Sequence, residues 1–348
     1  LIEHRKEESL KRSKLQETKP YVYEKMMKFT EKIKRGESIA ILQFQYNYAC
    51  NFKCVHCSIK RFQDNKNQRQ FTIPDVENLS KQADELGLAR FVITGGEPLI
   101  FKDFDELVKA IDPQKFYINM DTNGWFLDDK RARHLKDIGV DRVQLSIDSL
   151  NPEEHDSFRR KKGAFYRAMN AVNASLTAGL DIFIQTVVTK QRLHSKEFLN
   201  FIECFNDSGI GVFVTYAKPV GAWENHFEGL VDQKDMQFFR ELEKSHNVWT
   251  HITPAFDGKG GCIAGRNIIS VTRQMDILCC PYFPVSMGNL RDEPLVDILE
   301  RCMRLNVFRK NTCLLAEDRN FINKYLVGTY TKSLPVDWHE VFTKEDFV

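Results

Sequence analysis

From residue 39 onward, short apolar runs alternate with longer amphipathic stretches, a rhythm that predicts strands followed by helices. Ile39–Tyr46 reads as a first strand, and Val76, Leu79, Ala83 and Leu86 then recur at helical spacing up to Gly87. Arg90–Thr94 is a second strand. Asp103 and Glu106 make a candidate capping box, opening a helix with Phe104, Leu107, Val108 and Ile111 inward. Phe116–Met120, Val143–Ile147, Ile182–Val188 and Val212–Tyr216 read as further strands. Between them the pattern predicts helices over Leu127–Ile138, Ala164–Ala178 and Ser195–Asn206. Six strand-then-helix units argue a parallel sheet with right-handed crossovers, too few for a closed eight-stranded barrel. The expectation is an α/β fold: a curved, open (β/α)6 sheet over residues 39–222, with ligands at the carboxyl ends of its strands.

The flanks read differently. Residues 1–38 are strongly charged, with Tyr23, Met26, Met27 and Phe29 at near-helical spacing, which predicts a leading helical segment with a solvated basic face. After a connecting segment, 223–261, the chain becomes richer in Gly, Cys and Pro, and residues 262–313 read as a small separate module of a β-hairpin and a helix, Pro294–Leu305. In the tail, 314–348, Trp338 and Phe342 are the residues expected to dock.

Composition removes several classes. Fifty basic and 48 acidic residues leave a formal charge of +2, so no bulk field points to nucleic acid or anionic lipid. No apolar run approaches the roughly 18 residues of a membrane span. Residue 1 is Leu rather than Met, which leaves room for a segment ahead of it. The chain has nine cysteines, an odd number, and three of them crowd into Cys50-Asn51-Phe52-Lys53-Cys54-Val55-His56-Cys57. Such neighbours make a poor disulfide framework, so reduced thiolates binding metal in a cytoplasmic, reducing compartment are expected. The triplet cannot complete a four-coordinate zinc site without a distant ligand, whereas on a four-iron cluster it leaves one iron open.

The C-x3-C-x2-C spacing after the first strand of a (β/α)6 pattern resembles the radical S-adenosylmethionine (SAM) superfamily. The resemblance implies a catalytic [4Fe-4S] cluster on Cys50, Cys54 and Cys57, whose open iron chelates SAM and whose electron cleaves it to a 5′-deoxyadenosyl radical. It places His56 near the adenine, and Gly95-Gly96-Glu97-Pro98, after the second strand, at the methionine amino group. Asn123, within Asp121-Thr122-Asn123-Gly124, and Ser146 and Asp148, at the fourth strand's end, resemble positions that touch SAM or substrate. Gln185 and backbone groups of Pro219 and Val220 are weaker candidates. The run Arg159-Arg160-Lys161-Lys162 is either a solvated loop or the source of one arginine for the SAM carboxylate.

Cys262-Ile263-Ala264-Gly265-Arg266, with Cys280-Pro281 and Gly288-Asn289 downstream, resembles the SPASM/twitch extension of one branch of that superfamily, with Met275 where a hairpin glycine is usual. This implies one auxiliary [4Fe-4S] cluster on Cys262, Cys280 and Cys313. The fourth ligand is open among Cys302, Cys279, Glu317, Asp318 and the substrate. Cys204 reads as a core residue. The implied function is oxidative modification of a peptide or small-molecule substrate, with a reducing partner such as flavodoxin or ferredoxin and no nucleic acid. The alternative is a non-catalytic iron–sulfur or zinc protein.

Overall fold

The computed structural model describes residues 13–35, 41–63, 71–253 and 261–348. Part of the leading segment and the first two residues of the predicted first strand lie outside them. One 11-stranded sheet runs through the molecule. Strands β1 (Ile41–Asn47), β2 (Arg90–Gly95), β3 (Tyr117–Thr122), β4 (Arg142–Ser146), β5 (Asp181–Val188) and β6 (Gly211–Tyr216) pair in sequence order and parallel. A two-residue strand the sequence pattern did not suggest, β7 (Val248–Trp249), extends the far edge.

The expected separate module is built onto the same sheet. β8 (Ile268–Val271) pairs parallel with β1 from Ile41↔Ile268 to Phe44↔Val271. β9 (Asp276–Cys280) and β10 (Phe283–Asn289) continue antiparallel, and β11 (Val336–Asp337) closes that edge. The hairpin turn carries Met275 at φ 76, the left-handed conformation a glycine adopts without penalty.

Helices α1 (Pro20–Lys34), α2 (Ile73–Glu85), α3 (Phe104–Ile111), α4 (Asp129–Asp137), α5 (Pro152–Arg159), α6 (Ala164–Thr177), α7 (Lys196–Asp207), α8 (Gln233–Ser245) and α9 (Leu295–Arg304) are the principal ones. Their apolar faces meet the strands around fully buried Phe44, Phe91, Phe104, Phe116 and Phe201. α3 begins where the sequence placed it, but Asp103 makes no side-chain cap; its carboxylate accepts from the Tyr46 hydroxyl instead. The leading basic segment is docked as well as solvated: Lys25 on α1 is buried, 2.9 Å from Asp84, and Lys19, just ahead of α1, lies 2.6 Å from Asp141. Cys204, expected in the core, is exposed on α7. In the tail, Phe342 packs on Phe283 and Tyr325, and Trp338 on Phe347.

Candidate active site

The loop after β1 carries Cys50, Cys54 and Cys57, all free and half-buried, and all three line one cavity at the strand ends. The backbone holds this loop from three sides. The Gly96 amide donates to the Asn47 carbonyl at 2.8 Å, and the Glu97 amide to that of Ala49 at 2.9 Å. A Cβ on Gly96 would stand 1.8 Å from the Ala49 oxygen, and one on Gly95, at φ 123, 2.2 Å from the Asn47 oxygen. These glycines therefore let β2 close against the cysteine loop, and both also line the cavity, at the ligand position the sequence reading expected for them. From the opposite side, the Ala222 amide donates to the Cys57 carbonyl at 2.9 Å. Gly221, at φ 61, leaves room for that contact: a Cβ there would meet the same carbonyl at 2.3 Å. From the tail, the carbonyls of Thr329 and Lys332 accept from Arg61, which also pairs with Glu224 at 3.0 Å.

Burial pushes the Cys50 thiol up to about 12 and the Cys57 thiol up to about 11, with repulsion from the neighbouring thiols added. Thiolates in this setting require a cationic partner. Among the described residues no group of three or more His, Cys, Asp and Glu side chains is arranged to hold a metal ion. The fit to a cluster rests instead on the donor set, three thiols from one loop, none in a disulfide, facing one cavity.

The other strand ends supply the cavity's polar wall. Glu97 is buried and lines the cavity, yet much of its carboxylate is already engaged. It accepts from Thr122 Oγ1 at 2.6 Å, the Asn123 amide at 2.8 Å and the Leu99 amide at 3.1 Å. Burial raises its carboxyl to about 7, against the opposing pull of those bonds. Pro98 begins the short turn Pro98–Ile100 that Glu97 caps, and does not face the cavity. Asn123 and Ser146 do line it. So does His56, stacked on Phe158 at 4.4 Å and 13° and kept neutral by burial, which lowers its pKa to about 3.

Asp148 needs correction as a direct ligand contact. Its carboxylate is taken by Arg159 Nε at 2.6 Å, by the Val187 amide at 3.2 Å and by Thr186 Oγ1, so it lies behind the wall. Burial alone would raise its pKa, but the Arg159 guanidinium holds it well below the usual carboxylate range. The residue that reaches the cavity is Arg159, the one inward member of its basic run. The backbone groups at 219–220 are likewise engaged: Tyr330 Oη donates to the Pro219 carbonyl and the Val220 amide to the Lys218 carbonyl at 2.9 Å.

Deeper in the cavity stand Gln43, Gln45, Asp121, Gln185, Lys218 and Tyr282. Asp121 Oδ1 has no partner among the described residues, and burial raises its carboxyl to about 7. Lys218 is buried, donates to the Tyr216 carbonyl at 3.0 Å and sits 4.3 Å from the Tyr282 ring centroid. Sequence patterning missed Tyr282, for which the adjacent Cys280-Pro281 was the one available signal, and reached Lys218 only as a neighbour of the weak backbone candidates Pro219 and Val220.

The second cysteine group stands next to this floor. Cys280 and Cys313 both act on the Cys262 thiol electrostatically, and Cys313 acts on Cys280. Cys302 is placed otherwise: buried on α9, it hydrogen-bonds Cys279, whose side chain leaves β9 on the opposite face from Cys280.

Residues 45–215 match the model of the Radical SAM superfamily. The chain is 25% identical over 300 residues to an AdoMet-dependent heme synthase of Methanosarcina barkeri, covering 78% of this chain and 84% of that protein. It is 33% identical over 193 residues to a GTP 3′,8-cyclase of Petrotoga mobilis, covering 54% and 58%. Streptococcus suis SuiB bound to its precursor peptide SuiA superposes with a TM-score of 0.60 at 17% identity, over 80% of this chain and 69% of that one, a likeness of fold. The chain belongs to the radical SAM superfamily, a superfamily of enzymes. Among the described residues no helix is long and apolar enough to cross a membrane.

Proposed function

We propose that this enzyme oxidatively modifies a polar peptide or small-molecule substrate, using a SAM-derived radical and an auxiliary [4Fe-4S] cluster on Cys262, Cys280 and Cys313. Cys50, Cys54 and Cys57 would hold a four-iron cluster, which with SAM bound would supply the electron for reductive cleavage of SAM. The protein's part is to bind, orient and exclude water. Arg159, oriented by Asp148, suits the SAM carboxylate. Glu97, Asn123 and Ser146 offer polar contacts, and the stacked His56 ring an apolar wall for adenine.

One observation carries the auxiliary assignment: Pro281 and Tyr282, directly after Cys280, line the same cavity as Cys50, Cys54 and Cys57. A redox centre held by Cys280 would thus adjoin the substrate floor and suit removal of an electron from a substrate radical. The floor itself favours a polar substrate. Asp121 would accept from a substrate donor, and Lys218 would pair with a substrate anion. Iron and sulfide analysis of anaerobically reconstituted protein tests this. About eight irons per chain support two four-iron clusters, and about four with one bound zinc would make the second group structural.

A further inference from the structure

The surface beside the cysteine loop carries positive charge without acidic partners. Phe52, between Cys50 and Cys54, packs edge-on against Trp125 with centroids 5.8 Å apart, and its amide donates to Cys50 Sγ at 3.4 Å. Over Trp125 lie Lys161 Nζ at 4.5 Å and the Arg167 guanidinium at 5.5 Å. Arg160 and Lys162 are exposed beside them, and Phe126 and Tyr166 are 44% and 64% exposed. Arg159 alone in that run turns inward, to Asp148. Among the described residues no carboxylate forms an ion pair with Arg160, Lys161, Lys162 or Arg167. With a net charge of only +2 over the chain, this is a local concentration rather than part of a general field.

We propose that this basic, aromatic-centred patch is the docking surface for a small acidic electron-carrier protein of the flavodoxin kind. The inference rests on the radical SAM assignment, since a cluster that must be reduced each turnover needs an outside electron. In the transfer one electron leaves the carrier, which is oxidised by one unit, and the cluster is reduced by one; no bond or proton changes hands. The patch has the composition of a transient interface, an aromatic centre with a charged rim that steers encounter without holding the partner long. Its aromatic centre touches Phe52, inside the cysteine loop. A carrier seated there would cover Trp125, which packs on the buried Phe52 ring of the cysteine loop.

The test uses anaerobically reconstituted holoenzyme, a reduced acidic bacterial flavodoxin, and a variant combining K161E, K162E and R167E. Calorimetry should show flavodoxin affinity falling at least about tenfold in the variant, and falling in the wild type as salt rises. 5′-Deoxyadenosine formation driven by flavodoxin should drop similarly, while that driven by dithionite stays within about twofold. A variant with K161R and K162R should retain wild-type binding. Unchanged affinity overturns the proposal. So does equal loss with both reductants, or a wild-type patch that binds anionic phosphatidylglycerol vesicles but not flavodoxin. Wild-type inertness toward dithionite would strike the catalytic reading instead, while the binding comparison would still decide the surface.

Discussion

Cys50, Cys54 and Cys57 leave one loop, whereas Cys262, Cys280 and Cys313 come from a turn before β8, the end of β9 and the start of the short helix Leu314–Glu317. The first group owes its shape to its neighbours. Glycines at 95, 96 and 221 let two other strand ends close on the loop's backbone. The second group owes its shape to the sheet: β8 must pair with β1, and β9 with β8, before its thiols meet. Damage confined to the segments that carry one group's cysteines should therefore spare the other group, although the two regions share the β1–β8 pairing and the packing of Tyr48, Ile59 and Phe62 with Leu278.

The largest expected effect is at Gly96. A methyl group there must displace the Ala49 backbone, so Gly96→Ala should lose the iron of the first group, about four of about eight, together with measurable SAM binding. Iron analysis and calorimetry check this, and a variant that keeps all its iron would mean the loop tolerates separation from β2. Next comes the reciprocal change, Cys262→Ala with Cys280→Ala. About four irons should again be lost, but substrate-independent SAM cleavage should stay within about twofold of wild type, because Cys50, Cys54 and Cys57 are untouched. Turnover of substrate is expected to stop.

Asp148→Asn probes the first region away from its cysteines. Arg159 would be left buried without its counter-charge, at a cost of about 3–5 kcal/mol, readable as a lower denaturation midpoint. SAM affinity should fall with it, as Arg159 loses its orientation. The smallest effect is a pH dependence at Asp121, whose carboxyl rises from 3.8 to about 7 on burial. Unfolded chains then bind fewer protons than folded ones between those values. Stability should accordingly decline as pH rises from about 4 to about 7, and Asp121→Asn should flatten that slope in the apoprotein.

The difference between the two regions also explains what the sequence disclosed. Strand alternation and the C-x3-C-x2-C loop are local signals, so the parallel sheet and the first cysteines were legible directly. Arg159 was recognisable only as one member of a basic run, because nothing local says which side chain turns inward toward Asp148. The role of Gly221 depends on a loop that is distant in sequence. Lys218 and Tyr282 are brought to the floor by β6 and by the β9–β10 hairpin. The edge pairing of β8 with β1 turned an expected separate module into part of the main sheet, which is why the hairpin's residues reach the cavity at all.

The central claim is that Cys50, Cys54 and Cys57 hold the cluster that cleaves SAM. The direct measurement compares 5′-deoxyadenosine and methionine formation by reduced, reconstituted wild type with that of a variant carrying Ala at all three positions. Wild type should form both products in equal amounts, slowly even without substrate. The variant should form neither, while keeping about four irons on its later cysteines. Cleavage by the variant at the wild-type rate would contradict the account.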